Sequence, residues 1–158
     1  MKAGSTDATT IMQEMREIDA YNSAFVDSLL SNVGWLVDLS QTADSAIFLV
    51  IQHARPHIQR KYLPMIRERA EKGLLEKEYL ALLEDRVLMM SHQKQLYGSQ
   101  LFTRTKEDGS RVLYVWPVED PENIDTRRAE MGMTTMEEYL ENFENAVYDK
   151  ELTIEEAQ

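Results

Sequence analysis

A chain of 158 residues with 43% hydrophobic content carries enough apolar material for one domain with a full-sized core. Its formal net charge of −11 and pI of about 4.7 disfavour nucleic acid and anionic membranes as partners. The absence of cysteine excludes disulfides, a thiolate nucleophile and any cysteine-ligated metal site.

The N-terminal residues Met1 to Thr6 lack the apolar middle of a signal peptide. Cytoplasmic location is the default expectation, with a secreted or periplasmic one if a signal peptide has been removed. Residues 1–8 are expected to be disordered. From Thr9 to about Ser31, Ile11, Met15, Ile18, Phe25 and Leu29 recur at helical spacing with acids between them, which predicts an amphipathic helix. Asn22 falls on that stripe, as a satisfied core amide or as the stripe's edge. Gly34 stands near the helix stop.

A second helix is expected from about Thr42 to Ala54, although the run Ala46 to Ile51 is apolar all round and is also compatible with a buried strand. Pro56 can open a third helix, because the missing N–H costs nothing in a first turn. Pro64 lies inside that helix and is expected to kink or break it near Lys61. Residues 53–72 hold six bases against two acids. Such a basic strip can meet a small anion, or pair with the protein's own acids. The fourth helix, about Glu76 to His92, has almost no polar face and belongs in the middle of a core. No run of 18 apolar residues exists, so no membrane insertion is expected.

After Gln100 the period changes. Leu101 to Thr105 and Arg111 to Trp116 are rich in β-formers and are joined through Asp108-Gly109, which predicts a β-hairpin. A short helix from Asn123 to Met131 closed by Gly132 follows. Thr134 or Thr135, each with glutamate three residues on, can cap a final helix reaching Phe143 or Tyr148. Residues 134–158 hold eight acids against Lys150 alone, and the stretch 149–158 is expected to fray as an acidic tail. The expected fold is mainly α: a single-domain helical bundle over 9–148 with one β-hairpin at about 101–116 in the C-terminal half.

The residues that carry chemistry cluster at helix ends and turns. Asp85 and Arg86 are neighbours in the apolar fourth helix. A buried unpaired charge costs several kcal/mol, so each needs a partner elsewhere. Adjacent helix positions point about 100° apart, so the two do not answer each other. The candidate partners are His53 at the helix break and the group around Asp120, Arg127 and Arg128 beyond the hairpin. Core salt bridges are the structural reading of the pair, and a site carboxylate with a site guanidinium the functional one. His53 precedes a helix break and is either a helix-end imidazole facing the dipole or a general base, imidazole being the side chain that titrates nearest neutrality. His57 follows four residues on, but Pro56 disturbs the alignment that a metal pair requires, and no metal or other cofactor is expected. Gln95, Tyr97, Gly98, Ser99 and Gln100 offer carboxamides, a phenol and a hydroxyl around one glycine, as a polar ligand loop or as a well-bonded helix-to-strand connection.

Ile51-Gln52-His53-Ala54, Leu83-Glu84-Asp85-Arg86-Val87, Gln95-Leu96-Tyr97-Gly98-Ser99-Gln100, Pro117-Val118-Glu119-Asp120 and Asp125-x-x-Arg128 occur in this order. Over roughly residues 33–140 the chain resembles a bacterial domain-of-unknown-function family marked by QHAD, DRV and YGTQ strings. The resemblance implies no chemistry. It implies site candidates at Gln52, His53, Asp85, Arg86, Gln95, Tyr97, Gly98, Gln100, Asp120 and Arg128, with Ser99 keeping the hydroxyl of the usual threonine. Arg55 stands where the family has aspartate, which weakens a His–Asp pair there.

Two functions remain in view. One is a binding module for a small polar ligand or an unidentified protein partner, with a polar site built from the QHA, DR and YGSQ segments. The other is a hydrolase or transferase on a small polar substrate, with His53 as general base oriented by Asp85 and with Gln95 and Gln100 on the substrate.

Overall fold

The structure is a computed structural model that describes residues 8–106 and 108–158. It is mainly α with a minor β part, as expected: seven α-helices and a small three-stranded sheet among the described residues. The disordered segment expected at 1–8 lies outside the described residues apart from Ala8, and so does Glu107 of the hairpin loop. Two compact units are distinguished within the chain, the first ending at Tyr62 and the second Leu63–Gln158. No composition shift marks that boundary, because it falls inside a helix.

The first unit begins with α1 (Ala8–Asn32). Gly34, at φ +78°, follows its end. The periodicity located this helix but assigned its burial to the wrong face. Ile11, Met15, Ile18 and Phe25 are 45%, 58%, 59% and 62% exposed, whereas Val26 and Leu30 are buried. α2 (Gln41–His53) is a helix and not a strand, and Ser40 caps it by accepting the N–H of Ala43 at 3.3 Å. Ile47, Phe48 and Ile51 are its buried face, with Trp35, whose indole N–H donates to Asp44 at 2.6 Å. α3 (Pro56–Glu71) starts on its proline as expected and stays helical through Pro64, so the expected break does not occur. In its first half Ile58, Gln59 and Tyr62 are buried.

The second unit takes up α3 from Leu63, with Ile66 and Ala70 buried. Leu80, Ala81, Leu83 and Asp85 are buried in α4 (Lys77–Met90). That helix ends on His92 at φ +54°, which lets the Gln93 N–H reach back to the Leu88 carbonyl at 2.9 Å. β1 (Leu101–Thr105) and β2 (Arg111–Val115) form the expected hairpin, with Leu101 opposite Val115 and Thr105 opposite Arg111. Gly109 takes φ +82° at its tip. A 3-10 turn (Pro121–Asn123) leads into α5 (Ile124–Glu130). Of the two candidate threonines, Thr135 caps α6 (Met136–Leu140), in a capping box with Glu138.

Two features differ from the expectations. α6 stops at Leu140, and β3 (Ala146–Val147) adds a short parallel strand to β2, with Leu113 opposite Ala146. The stretch 149–158 does not fray. Leu152 is buried, a second capping box between Thr153 and Glu156 starts α7 (Ile154–Ala157), and the Arg104 guanidinium donates to the Glu156 carbonyl. The core beneath β2 is Val115, Val118, Ile124 and Met136, with Leu101, Tyr139, Leu140 and Tyr148 packed against it.

Candidate functional site

Each unit carries its own group of polar side chains. In the second unit the centre is Asp85, fully buried in α4. After His92 the chain reverses and the segment 95–100 folds over the helix. This loop forms no strand or helix, so its main-chain donors need partners, and Asp85 supplies them. Its Oδ1 accepts the N–H groups of Leu96 at 2.7 Å and Tyr97 at 3.0 Å, and its Oδ2 accepts that of Ser99 at 2.9 Å. Burial raises the Asp85 carboxyl above the usual carboxylate range, and the three N–H groups pull against that shift. Asp85 is thus answered by backbone amides of its own unit, and not by His53 or an arginine, and such amides can satisfy a buried carboxylate.

Gln95, also fully buried, secures both ends of the same loop. Its side-chain amide donates to the carbonyls of Gln100 at 3.0 Å and Trp116 at 2.7 Å, and its Oε1 accepts the Gln100 N–H at 2.9 Å. Its backbone bridges to Val118, donating to the Pro117 carbonyl at 2.9 Å and accepting from the Glu119 N–H at 2.8 Å. Gln100 donates through its side chain to the Ser99 hydroxyl at 3.0 Å, and the Ser99 carbonyl accepts the Tyr139 hydroxyl at 2.9 Å. Gly98 sits at φ +69°, where a Cβ would stand 2.9 Å from Ile124 Cδ1. Glycine is therefore required there by both backbone conformation and packing.

Arg128, 1% exposed, closes the loop from the other side. It donates to the carbonyls of Tyr97 and Thr134, each at 2.6 Å, and lies over the Tyr139 ring at 4.8 Å from the centroid. Arg127 was not among the site candidates, yet it donates to the carbonyls of Leu96, Glu119 and Asp120 at 2.9, 2.5 and 3.0 Å. Asp120 is exposed and takes up Asn123 at 2.8 Å and Arg127 at 3.4 Å, so it does not answer Arg86. The expected acid partner of Arg86 is missing among the described residues: its Nε is buried without a hydrogen bond, and burial lowers its pKa. Tyr97 donates to Glu84 at 3.3 Å, and burial with the neighbouring Glu84 pushes its phenol up to about 12. The structure thus brings Asp85, Gln95, Tyr97, Gly98, Ser99, Gln100 and Arg128 together, with their hydrogen-bonding capacity directed mainly at main chain.

The first unit places its polar groups differently. Gln52 is buried on the inner face of α2, where its carbonyl accepts the Gln59 side-chain amide at 2.9 Å. His53, one residue on, is exposed. It borders a cleft of about 580 Å3 between α1 and the α2–α3 turn. Arg16, Asp19 and Asp27 line it from α1, Arg55 from the turn, and His57 and Ile58 from α3, with Ala20, Ser23, Ala24 and Ala54 leaving the space open. The Asp27 carboxylate is committed: it accepts Lys61 Nζ and the Tyr62 hydroxyl, each at 2.6 Å, and these two bonds hold it below the usual carboxylate range. No ion pair or hydrogen bond with another described residue holds the side chains of Arg16, Asp19, His53, Arg55 or His57. The cleft therefore presents two guanidiniums and two imidazoles against one uncommitted carboxylate. Arg16, Asp19 and Arg55 were missed as candidates. In the sequence Arg55 stands out only as a departure from the family string, and Arg16 and Asp19 lie more than 30 positions away from His53. Among the described residues no group of three or more potential ligands is arranged to hold a metal ion. No helix of the described chain is long and apolar enough to cross a membrane.

Compared with the curated proteins and with the solved structures, the chain matches none. The model of a family of unknown function, DUF6624, matches residues 2–151, and the chain belongs to that family.

Proposed function

We propose that this protein is a ligand-binding module whose first unit takes a small anion, such as a carboxylate or a phosphate group, in the cleft between α1 and the α2–α3 turn. One observation carries this reading: the side chains of Arg16, His53, Arg55 and His57 face one cavity with no ion pair or hydrogen bond to another described residue, on a protein whose net charge is −11. Uncompensated guanidiniums in a concave site offer planar donors suited to carboxylate and phosphate oxygens. Ala54 and Ile58 add an apolar wall for the rest of such a ligand. The loop 95–100 supports the fold of the second unit in this account, with its amides bound to Asp85 and Gln95.

The hydrolase or transferase reading has less behind it. A general base works when a second group fixes its tautomer and orientation. His53 has no such partner among the described residues, and the Asp85 oxygens accept backbone amides.

Isothermal titration with inorganic phosphate and with succinate tests the proposal. The expected result is saturable binding that weakens with added salt and falls at least tenfold in Arg55→Ala and in Arg16→Ala. Absence of saturable heat with either anion, or binding indifferent to both substitutions, overturns it.

A further inference from the structure

We infer that α1 is also a dimerisation helix, pairing with the same helix of a second copy of this chain along Ile11, Met15, Ile18, Asn22, Phe25 and Leu29. These positions are separated by alternating steps of four and three residues, which is the 3.5-residue repeat of a two-helix seam. The four large side chains at Ile11, Met15, Ile18 and Phe25 are exposed, so the fold of one chain does not use them.

The helix contacts its own unit through other positions. Val26 and Leu30 are buried, and Asp27 and Ser31 bond to Lys61 and Tyr62. At about 100° per residue Leu30, Asp27 and Ser31 lie a quarter turn or more from the centre of the seam, and Val26 lies at its margin, about 60° away. The cleft-lining Ala20, Ser23, Ala24 and Asp27 lie on nearly the opposite side of the helix. A partner on the seam therefore leaves the cleft open.

Asn22 says which partner fits. It stands in the middle of the apolar seam, half-buried, and its side chain makes no hydrogen bond to another described residue. An apolar surface laid over it would strand both ends of its amide. An identical asparagine across a two-fold axis supplies one donor and one acceptor in each direction, the arrangement by which a single seam asparagine fixes register in paired helices. Size agrees. The four seam side chains and the flanking Tyr21, 74% exposed, each offer on the order of 100 Å2 of apolar surface. Two copies then bury roughly 1,000 Å2, the area at which specific interfaces begin. The dimer is accordingly expected to be reversible with concentration.

Sedimentation equilibrium of the full chain is expected to show a monomer–dimer equilibrium in the micromolar range, with Ile18→Glu weakening it at least tenfold at unchanged helical circular dichroism. Because the chain has no cysteine, single thiols give a clean second measurement. Asn22→Cys is expected to cross-link into covalent dimer on mild oxidation at least tenfold faster than Ala20→Cys on the cleft side. A chain that stays monomeric into the millimolar range, a dimer untouched by Ile18→Glu, or equal cross-linking of the two cysteine variants overturns the inference.

Discussion

The loop around Asp85 and the cleft beside His53 are built from the same kinds of side chain, and they differ in what those side chains are bonded to. In the second unit a buried aspartate, the Gln95 carboxamide and two arginines bind the main chain of one non-repetitive loop. In the first unit the side chains of two arginines, two histidines and an aspartate face a cavity with no ion pair or hydrogen bond to another described residue. Residue type does not distinguish a structural network from a binding surface, but hydrogen-bond saturation does. A saturated group gains little from a ligand, because the ligand must first displace a bond that the fold already makes.

The largest expected effect lies in the saturated group. Asp85→Ala leaves three loop amides without their acceptor and is expected to cost about 4 kcal/mol in denaturant unfolding. His53→Ala, an exposed change, is expected to stay within about 0.5 kcal/mol in the same experiment. Equal costs for the two would erase the contrast. Next comes Gly98→Ala, where positive φ and the Ile124 contact together are expected to cost about 2 kcal/mol with anion binding in the first unit preserved. The smallest effect concerns pH. The Asp27 carboxylate is held low by Lys61 and Tyr62. Its contribution is therefore complete above the ordinary carboxylate range and is lost as pH falls through the depressed folded value. Stability curves of the parent and Asp27→Asn are expected to run parallel near neutrality and to converge in acid. Curves that diverge in acid would contradict the assigned pairing.

Much of the fold was legible. The hairpin followed from Asp108-Gly109 between β-rich runs, and the threonine–glutamate spacing at Thr135 marked its helix start. The same spacing stands at Thr153 and Glu156, yet the run of acids around it suggested a frayed tail. β3 has two residues and too little pattern to read. Periodicity in α1 identified a helix and a stripe but not what covers the stripe, since a period is the same for a core face and an outward seam. Asp85 was legible as a buried charge needing partners. Its actual partners are peptide N–H groups, which every residue possesses and no sequence singles out. The cleft was half legible: His53 stood out, but Arg16 and Asp19 reach it only through tertiary packing.

On the proposed binding role, ligand-facing chemistry lies in the first unit at His53 and His57, and the third histidine, His92 in the second unit beside Gln158, is a built-in control. Imidazole ring resonances followed by NMR during titration with inorganic phosphate at fixed pH and ionic strength test it directly. The expected result is saturable shifts of His53 and His57 with one shared affinity and no comparable response at His92. Shifts of equal size at all three histidines, or no saturable shift at His53 and His57, would contradict it.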